Sequence, residues 1–160
     1  MKKLLTIALL LVGMTASAQG WHVSHRAADP LTGQTEADVY IFSAKGIGSL
    51  VVWDWNRPSF RVISENKMFS SYVSHTGSYV PLLVGIYNGR GEMTDRFRFE
   101  MYIEQNHSNM YISTSDFSYP STRKKIKKVL KALRSGNGYV RFWAERWNHD
   151  DLDMKVPPFQ

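Results

Sequence analysis

The chain has no cysteine. That excludes disulfides, thiolate nucleophiles, Cys-ligated zinc and iron–sulfur clusters, and the lipidated cysteine of a lipoprotein. Many small secreted domains lean on disulfides, so a secreted chain without them must be held by its core. Long apolar runs are scarce as well. Residues 4–12 form a mainly apolar stretch of nine, too short to span a bilayer, and no later stretch is apolar enough to do so. Catalytic signatures are missing: no nucleophile elbow, no His-Glu-x-x-His and no phosphate-binding loop. Gly89-x-Gly91 alone means nothing. Acid is absent from one stretch, residues 123–134, which holds seven basic residues.

What is present begins with a leader. Lys2 and Lys3 precede the apolar stretch, and Ala16-Ser17-Ala18 supplies the small residues of a cleavage site. Residues 1–18 therefore read as a secretion signal cut before Gln19, with export to a periplasm or beyond the cell. Residues 19–160 are one domain's worth of chain, long enough for a sizeable core. Hydrophobic residues make up 43% and charged residues 21%, which is globular rather than disordered. Aromatics at 13% lean toward β-structure or an aromatic binding face.

Period-two patterning dominates. Residues 37–43, 48–55, 59–64, 68–73, 79–87, 96–104, 109–114, 138–147 and 152–156 read as strands. In the clearest of them Phe97, Phe99, Met101 and Ile103 point one way, and Arg96, Arg98, Glu100, Tyr102 and Glu104 the other. Asn88-Gly89-Arg90-Gly91 and Asn106-His107-Ser108-Asn109 are hairpin loops. Residues 19–34 read as a polar lead-in with a turn at Asp29-Pro30-Leu31-Thr32-Gly33. One helix is expected near 121–135, capped by Ser121 or Thr122 and ended by Gly136. Ile126, Val129, Leu130 and Leu133 make its apolar stripe. The fold class is all-β, mainly antiparallel: a β-sandwich of eight to nine strands with one packed amphipathic helix. A lipocalin-like barrel is the alternative, with Gly20-Trp21 and the late helix in its favour and two strands after the helix against it.

An early Trp, Asp-Pro-Leu-Thr-Gly, alternating strands, and a helix ending in Leu133-Arg134-Ser135-Gly136 that feeds a strand follow the leader in that order. Together they resemble small exported bacterial β-sandwich proteins such as the TagO-like accessory proteins of type VI secretion. The resemblance implies a non-enzymatic envelope accessory protein. The chain departs from the pattern at Gly33, where related sequences often carry Asp, and in lacking a mid-strand cysteine, so no functional residue carries over.

Four constellations bear on chemistry. The basic helix is first. Burying its stripe turns Arg123, Lys124, Lys125, Lys127, Lys128, Lys131 and Arg134 outward, and a solvated face is the plain reading. Yet Lys124 and Lys125 stand near the helix N-terminus, where the dipole disfavours cations. A bound phosphate, acidic glycan or anionic headgroup would explain them. Aromatics are not interleaved with the run, which argues against nucleic acid. Second, Tyr139, Arg141, Trp143, Glu145 and Trp147 share one strand face, and Arg98, Glu100 and Tyr102 share another. Were those strands neighbours, Arg–Glu pairs would lie across the ladder. Flat rings flanked by Arg and Glu also suit sugars, unless other elements cover them. Third, Asn148-His149-Asp150-Asp151-Leu152-Asp153 offers metal ligands in His149, Asp151 and Asp153, but lacks the glycine of an EF-hand loop; a polar hairpin loop is the plainer account. Fourth, His22 and His25 stand three apart in a segment that does not look helical.

The expected function is an exported non-enzymatic binding or envelope accessory protein without a cofactor. A glycan- or polyanion-binding module would use Trp143, Trp147, Tyr102, Arg141, Lys124 and Lys125. Its partner would be a glycan, a polyanion or an envelope protein. A small secreted hydrolase using a pair such as Glu100 and Glu145 is the rival, weakened because arginine neighbours would hold both carboxylates ionised.

Overall fold

Alternating segments form strands wherever one face has a core to meet. The computed structural model describes residues 19–27, 37–56, 59–64, 79–103, 109–112, 119–144 and 152–160. Within them lie β1 (Gly20–Arg26), β2 (Ala37–Ala44), β3 (Gly48–Val52), β4 (Arg61–Ser64), β5 (Tyr79–Tyr87), β6 (Met93–Ile103), β7 (Asn109–Ile112), the helix α1 (Pro120–Ser135), β8 (Tyr139–Ala144) and β9 (Asp153–Val156). The expected leader over 1–18 and the expected strand over 68–73 lie outside the described residues.

The fold is all-β with one helix, and every strand pair is antiparallel. The strand order is β1-β2-β3-β4-β7-β6-β5-β8-β9. β5, β6 and β7 form a meander that folds back between β4 and β8. β4 and β5 follow one another along the chain without being neighbours in the sheet, and so do β7 and β8, with α1 between them in sequence. The tip of β5–β6 is tied by Asn88, whose side-chain oxygen accepts from the backbone N–H of Arg90 at 2.9 Å and of Glu92 at 3.0 Å. Gly91, with φ of 78°, makes that turn possible.

The sheet does not lie flat. Phe60, just before β4, meets Phe142 of β8 at a ring-centroid distance of 5.5 Å and Phe99 of β6 at 5.7 Å. β4 and β8 are four places apart in the strand order, which in a flat sheet would separate them by about 19 Å. The two arms therefore face each other across one core, as the layers of a sandwich do, and are continuous through β7. Its outer strands also come together: the Trp21 indole N–H donates to the Pro157 carbonyl at 2.7 Å. Leu50, Val62, Leu82, Met101, Phe142 and Val156 are sealed from solvent inside.

The helix completes that core. Ile126, Val129, Leu130 and Leu133 are all buried, so the predicted stripe is the packed one. Burial of such side chains is worth about 1.5–3 kcal/mol each. That matters because a helix in a protein draws most of its stability from packing of its apolar face. The start differs from expectation. The N-cap is Tyr119, which makes no side-chain capping bond, and Pro120 opens the helix in place of a Ser121 or Thr122 cap. Proline suits that position because its missing N–H would have had no partner there. Gly136 ends the helix as predicted, its N–H bonded to the Ala132 carbonyl at 2.9 Å.

β1 is a second difference. Residues 20–26 were expected as a polar lead-in and instead pair along the whole length of β2. Trp21 alone turns a large ring toward the core; Val23 is 47% exposed and both histidines are exposed. A strand with one inward anchor has no alternation to read.

Candidate functional site

α1 and the outer face of β5–β6–β8–β9 carry the candidate residues. On α1 the stripe faces the core, which leaves Arg123, Lys124, Lys127, Lys131 and Arg134 exposed and Lys125 half-buried. No acidic residue stands in the first turn. Of the seven cations, Lys128 is the one ion-paired among the described residues, with Asp95 of β6 at 2.8 Å. Its ammonium also lies over the Phe97 ring at 5.9 Å. A shallow hollow of about 390 Å³ opens beside the first turns, lined by Asn56, Pro120, Arg123, Lys124 and Lys127. A second, of about 310 Å³, lies along the other half of the helix between Lys128, Lys131, Ser135 and Asp95. At 1.5 Å rise per residue the cationic run extends for roughly 16 Å.

The outer sheet face is organised differently. Arg98 and Glu100 of β6 are not on a strand adjacent to Tyr139, Arg141 and Trp143 of β8, because β5 lies between those strands. The condition for a cross-strand Arg–Glu ladder, that those strands be neighbours, is not met; Arg98 pairs with Glu100 on its own strand at 3.1 Å. Arg141 pairs instead with Asp153 of β9, through Nε to Oδ1 and Nη2 to Oδ2, both at 2.7 Å. The hydrogen bonds to Arg141 hold the Asp153 carboxyl below its ordinary value, against the opposing effect of partial burial. Asp153 in turn raises the Arg141 guanidinium. Such bidentate, charge-assisted pairs are the geometrically specific ones.

Rings fill the space around that pair. The Arg141 guanidinium lies 4.9 Å from the Trp143 ring centroid, and that of Arg96 lies 5.9 Å away. Tyr87 and Tyr139 stack at 4.5 Å with an 8° interplanar angle, and the Lys155 ammonium is 5.7 Å from Tyr139. Gly85 sits under these rings. A Cβ there would come within 2.9 Å of Tyr87 Cε2 and 3.2 Å of Trp143 Cζ3. The rings thus take the place of a side chain at mid-strand.

Of the predicted site residues, Trp143 and Arg141 are brought together, while Tyr102 lies further along β6 and is half-buried. Lys124 and Lys125 belong to the helix, which packs on the inner side of the sheet, so they join no site with Trp143. Trp147, Glu145, His149 and Asp151 lie outside the described residues. Asp153, a candidate metal ligand, is engaged by Arg141. His22 and His25 lie on a strand rather than near one another on a helix, and His25 Nδ1 is 2.9 Å from Asp38 Oδ1. Asn56 at the hollow was not foreseen; nothing in its sequence context marks it. No protein-family model, curated protein or solved structure matches this chain.

Proposed function

We propose that the protein is an exported, non-enzymatic binding module that takes a linear polyanion along α1. An envelope accessory role of the kind the TagO-like resemblance implies fits that reading. One observation carries it: the helix buries all its apolar stripe and leaves five exposed cations without an ion-pair partner among the described residues. Outside the leader and this run the chain is net acidic, so the cations are concentrated rather than scattered. A clustered patch focuses an attractive field on anions, while its like charges repel one another until an anion binds. Successive cations on one helix face lie about 6 Å apart, a spacing that repeating phosphates or uronic carboxylates can follow. The saccharide reading of Trp143 is less favoured, since Arg141 and Arg96 already lie at that ring.

The test is thermal unfolding of the exported chain with polyphosphate, polygalacturonate and vesicles containing anionic lipid, each at two salt concentrations. A ligand binding only the folded state adds about 2.7 kcal/mol at a hundredfold excess over Kd. Stabilisation that fades with salt and disappears in Lys124→Glu/Lys127→Glu supports the proposal. The three arms distinguish polymer phosphate, polymer carboxylate and lipid headgroup. No shift in any arm removes it.

A further inference from the structure

The place where β1 and the segment following β9 meet holds an aromatic arrangement that the basic helix does not explain. Trp21 of β1, Tyr40 of β2 and Trp55 beyond β3 converge there, with Tyr40 and Trp55 at 5.0 Å and Trp21 and Trp55 at 5.9 Å. Between them stands Phe159. Its ring is 5.7 Å from Trp21 and 5.1 Å from Tyr40, edge-on to both, and 5.9 Å from Trp55. Edge-to-face packing of this kind favours an aromatic occupant beyond its buried area.

Phe159 belongs to no strand or helix. Two main-chain bonds hold its segment. The Pro157 carbonyl accepts from the Trp21 indole at 2.7 Å, and the Phe159 N–H donates to the Leu133 carbonyl at 2.6 Å. Pro157 and Pro158 have no N–H to give, so the segment cannot extend a ladder. Recognition therefore reduces to one carbonyl, one N–H and one ring, presented by an extended proline-rich stretch. That is how aromatic-lined grooves read proline-rich peptides. The site rings and Phe159 are all half-buried, whereas the core rings Phe42, Phe60 and Phe142 are sealed.

We propose that Trp21, Tyr40 and Trp55 form a receptor site for an extended Pro-Pro-aromatic peptide segment of a partner protein, and that residues 157–160 are its resident occupant. The partner's segment binds by displacing the resident one. Apparent affinity in the wild type is lowered by the fraction of time the site is filled.

The probe is an acetylated Val-Pro-Pro-Phe-Gln peptide, titrated into the full chain and followed by tryptophan fluorescence. Phe159→Ala is expected to bind it at least tenfold more tightly than wild type. Binding should be lost when Trp55→Ala is added, and when the peptide carries Ala in place of Phe. A folded Phe159→Ala that binds no peptide at millimolar concentration overturns the proposal. So does binding that ignores Trp55→Ala. A concentration-dependent wild-type dimer that Phe159→Ala abolishes also overturns it, in favour of exchange between copies. Hydrogen exchange at the Trp21 indole N–H of the wild type decides the matter even if Phe159→Ala fails to fold. Protection at least a hundredfold below the β5 amides is expected, and protection equal to theirs overturns the proposal.

Discussion

The helix and the outer sheet face are both rich in arginine and lysine, and they treat those charges in opposite ways. On the sheet, Arg141 is clamped by Asp153, Arg98 faces Glu100, and Arg96 and Lys155 lie over rings. On the helix, Arg123, Lys124, Lys127, Lys131 and Arg134 project without an ion-pair partner among the described residues, and the first turn holds no acid. The difference follows from geometry. A strand places its neighbours' side chains about 5 Å to either side, so a cation there finds a partner or a ring. A helix laid on a core with only its stripe has no neighbour on its far side. The sheet's charges hold the sheet; of the helix's seven cations only Lys128 is ion-paired with a described residue, Asp95.

The comparison would break most sharply if the helix were not fixed by its stripe. Leu133 is fully buried. Leu133→Ala should cost about 2–5 kcal/mol in urea unfolding. A loss under 1 kcal/mol would mean the helix is loosely docked and its cations are not a fixed surface.

Gly85 tests whether the sheet face is packed. An added Cβ meets Tyr87 and Trp143 closer than van der Waals contact, so Gly85→Ala should cost about 1–3 kcal/mol. The cost should shrink in a Tyr87→Ala background, because the nearest obstacle has gone. Equal costs in both backgrounds would show that Tyr87 is not the obstacle, and a cost near zero in the wild type would show that the rings yield freely and the face is open to a ligand.

Much of this was legible in the sequence, and the reasons differ element by element. The helix stripe and the inward faces of β5, β6, β8 and β9 could be read because burial has a period that the residues repeat. The loop at Asn88 could be read because its chemistry is local. The cap was misread because Ser121 and Thr122 compete with a Pro120 that needs no cap. The neighbours of β6 could not be read, since no local pattern says that β5 will lie between β6 and β8. For the same reason the sequence offers Asp153 only as one more polar residue of a hairpin loop with metal-ligand chemistry: its partner, Arg141, is reached only through the β8–β9 register. Phe159 went unnoticed because proline punctuation marks where a strand stops, not what the next ring will touch.

The Arg141–Asp153 pair gives a smaller effect with a defined sign. The Asp153 carboxyl is lowered in the folded state, so the folded state binds fewer protons there than the unfolded one. Its contribution is fully present above roughly pH 4, the unfolded carboxyl value, and is lost as pH falls through the lower folded value. Arg141 is raised and stays charged at every pH of interest. Asp153→Asn should cost about 1 kcal/mol at neutral pH, the upper end for a partly exposed pair. Its stability curve should converge on the wild type in acid. A constant gap down to pH 2 would mean that packing, not the ion pair, sets the loss.

The smallest effect in stability separates the two surfaces best. Lys124 touches no partner among the described residues and stands near the positive end of a helix whose first turn has no acid. Lys124→Glu replaces an unfavourable charge with a favourable one and sets a glutamate four residues before Lys128. It should therefore leave the melting temperature unchanged or raise it, by a few tenths of a kcal/mol at low salt. The same change on the sheet side, Arg141→Glu, would set a carboxylate against Asp153 and destabilise. If Lys124→Glu is stabilising while polyanion binding falls, the lysine is kept at a cost to the fold, which is the mark of a residue retained for a partner. If it destabilises as Arg141→Glu does, the helix cations hold the fold as the sheet cations do, and the division between the two surfaces disappears.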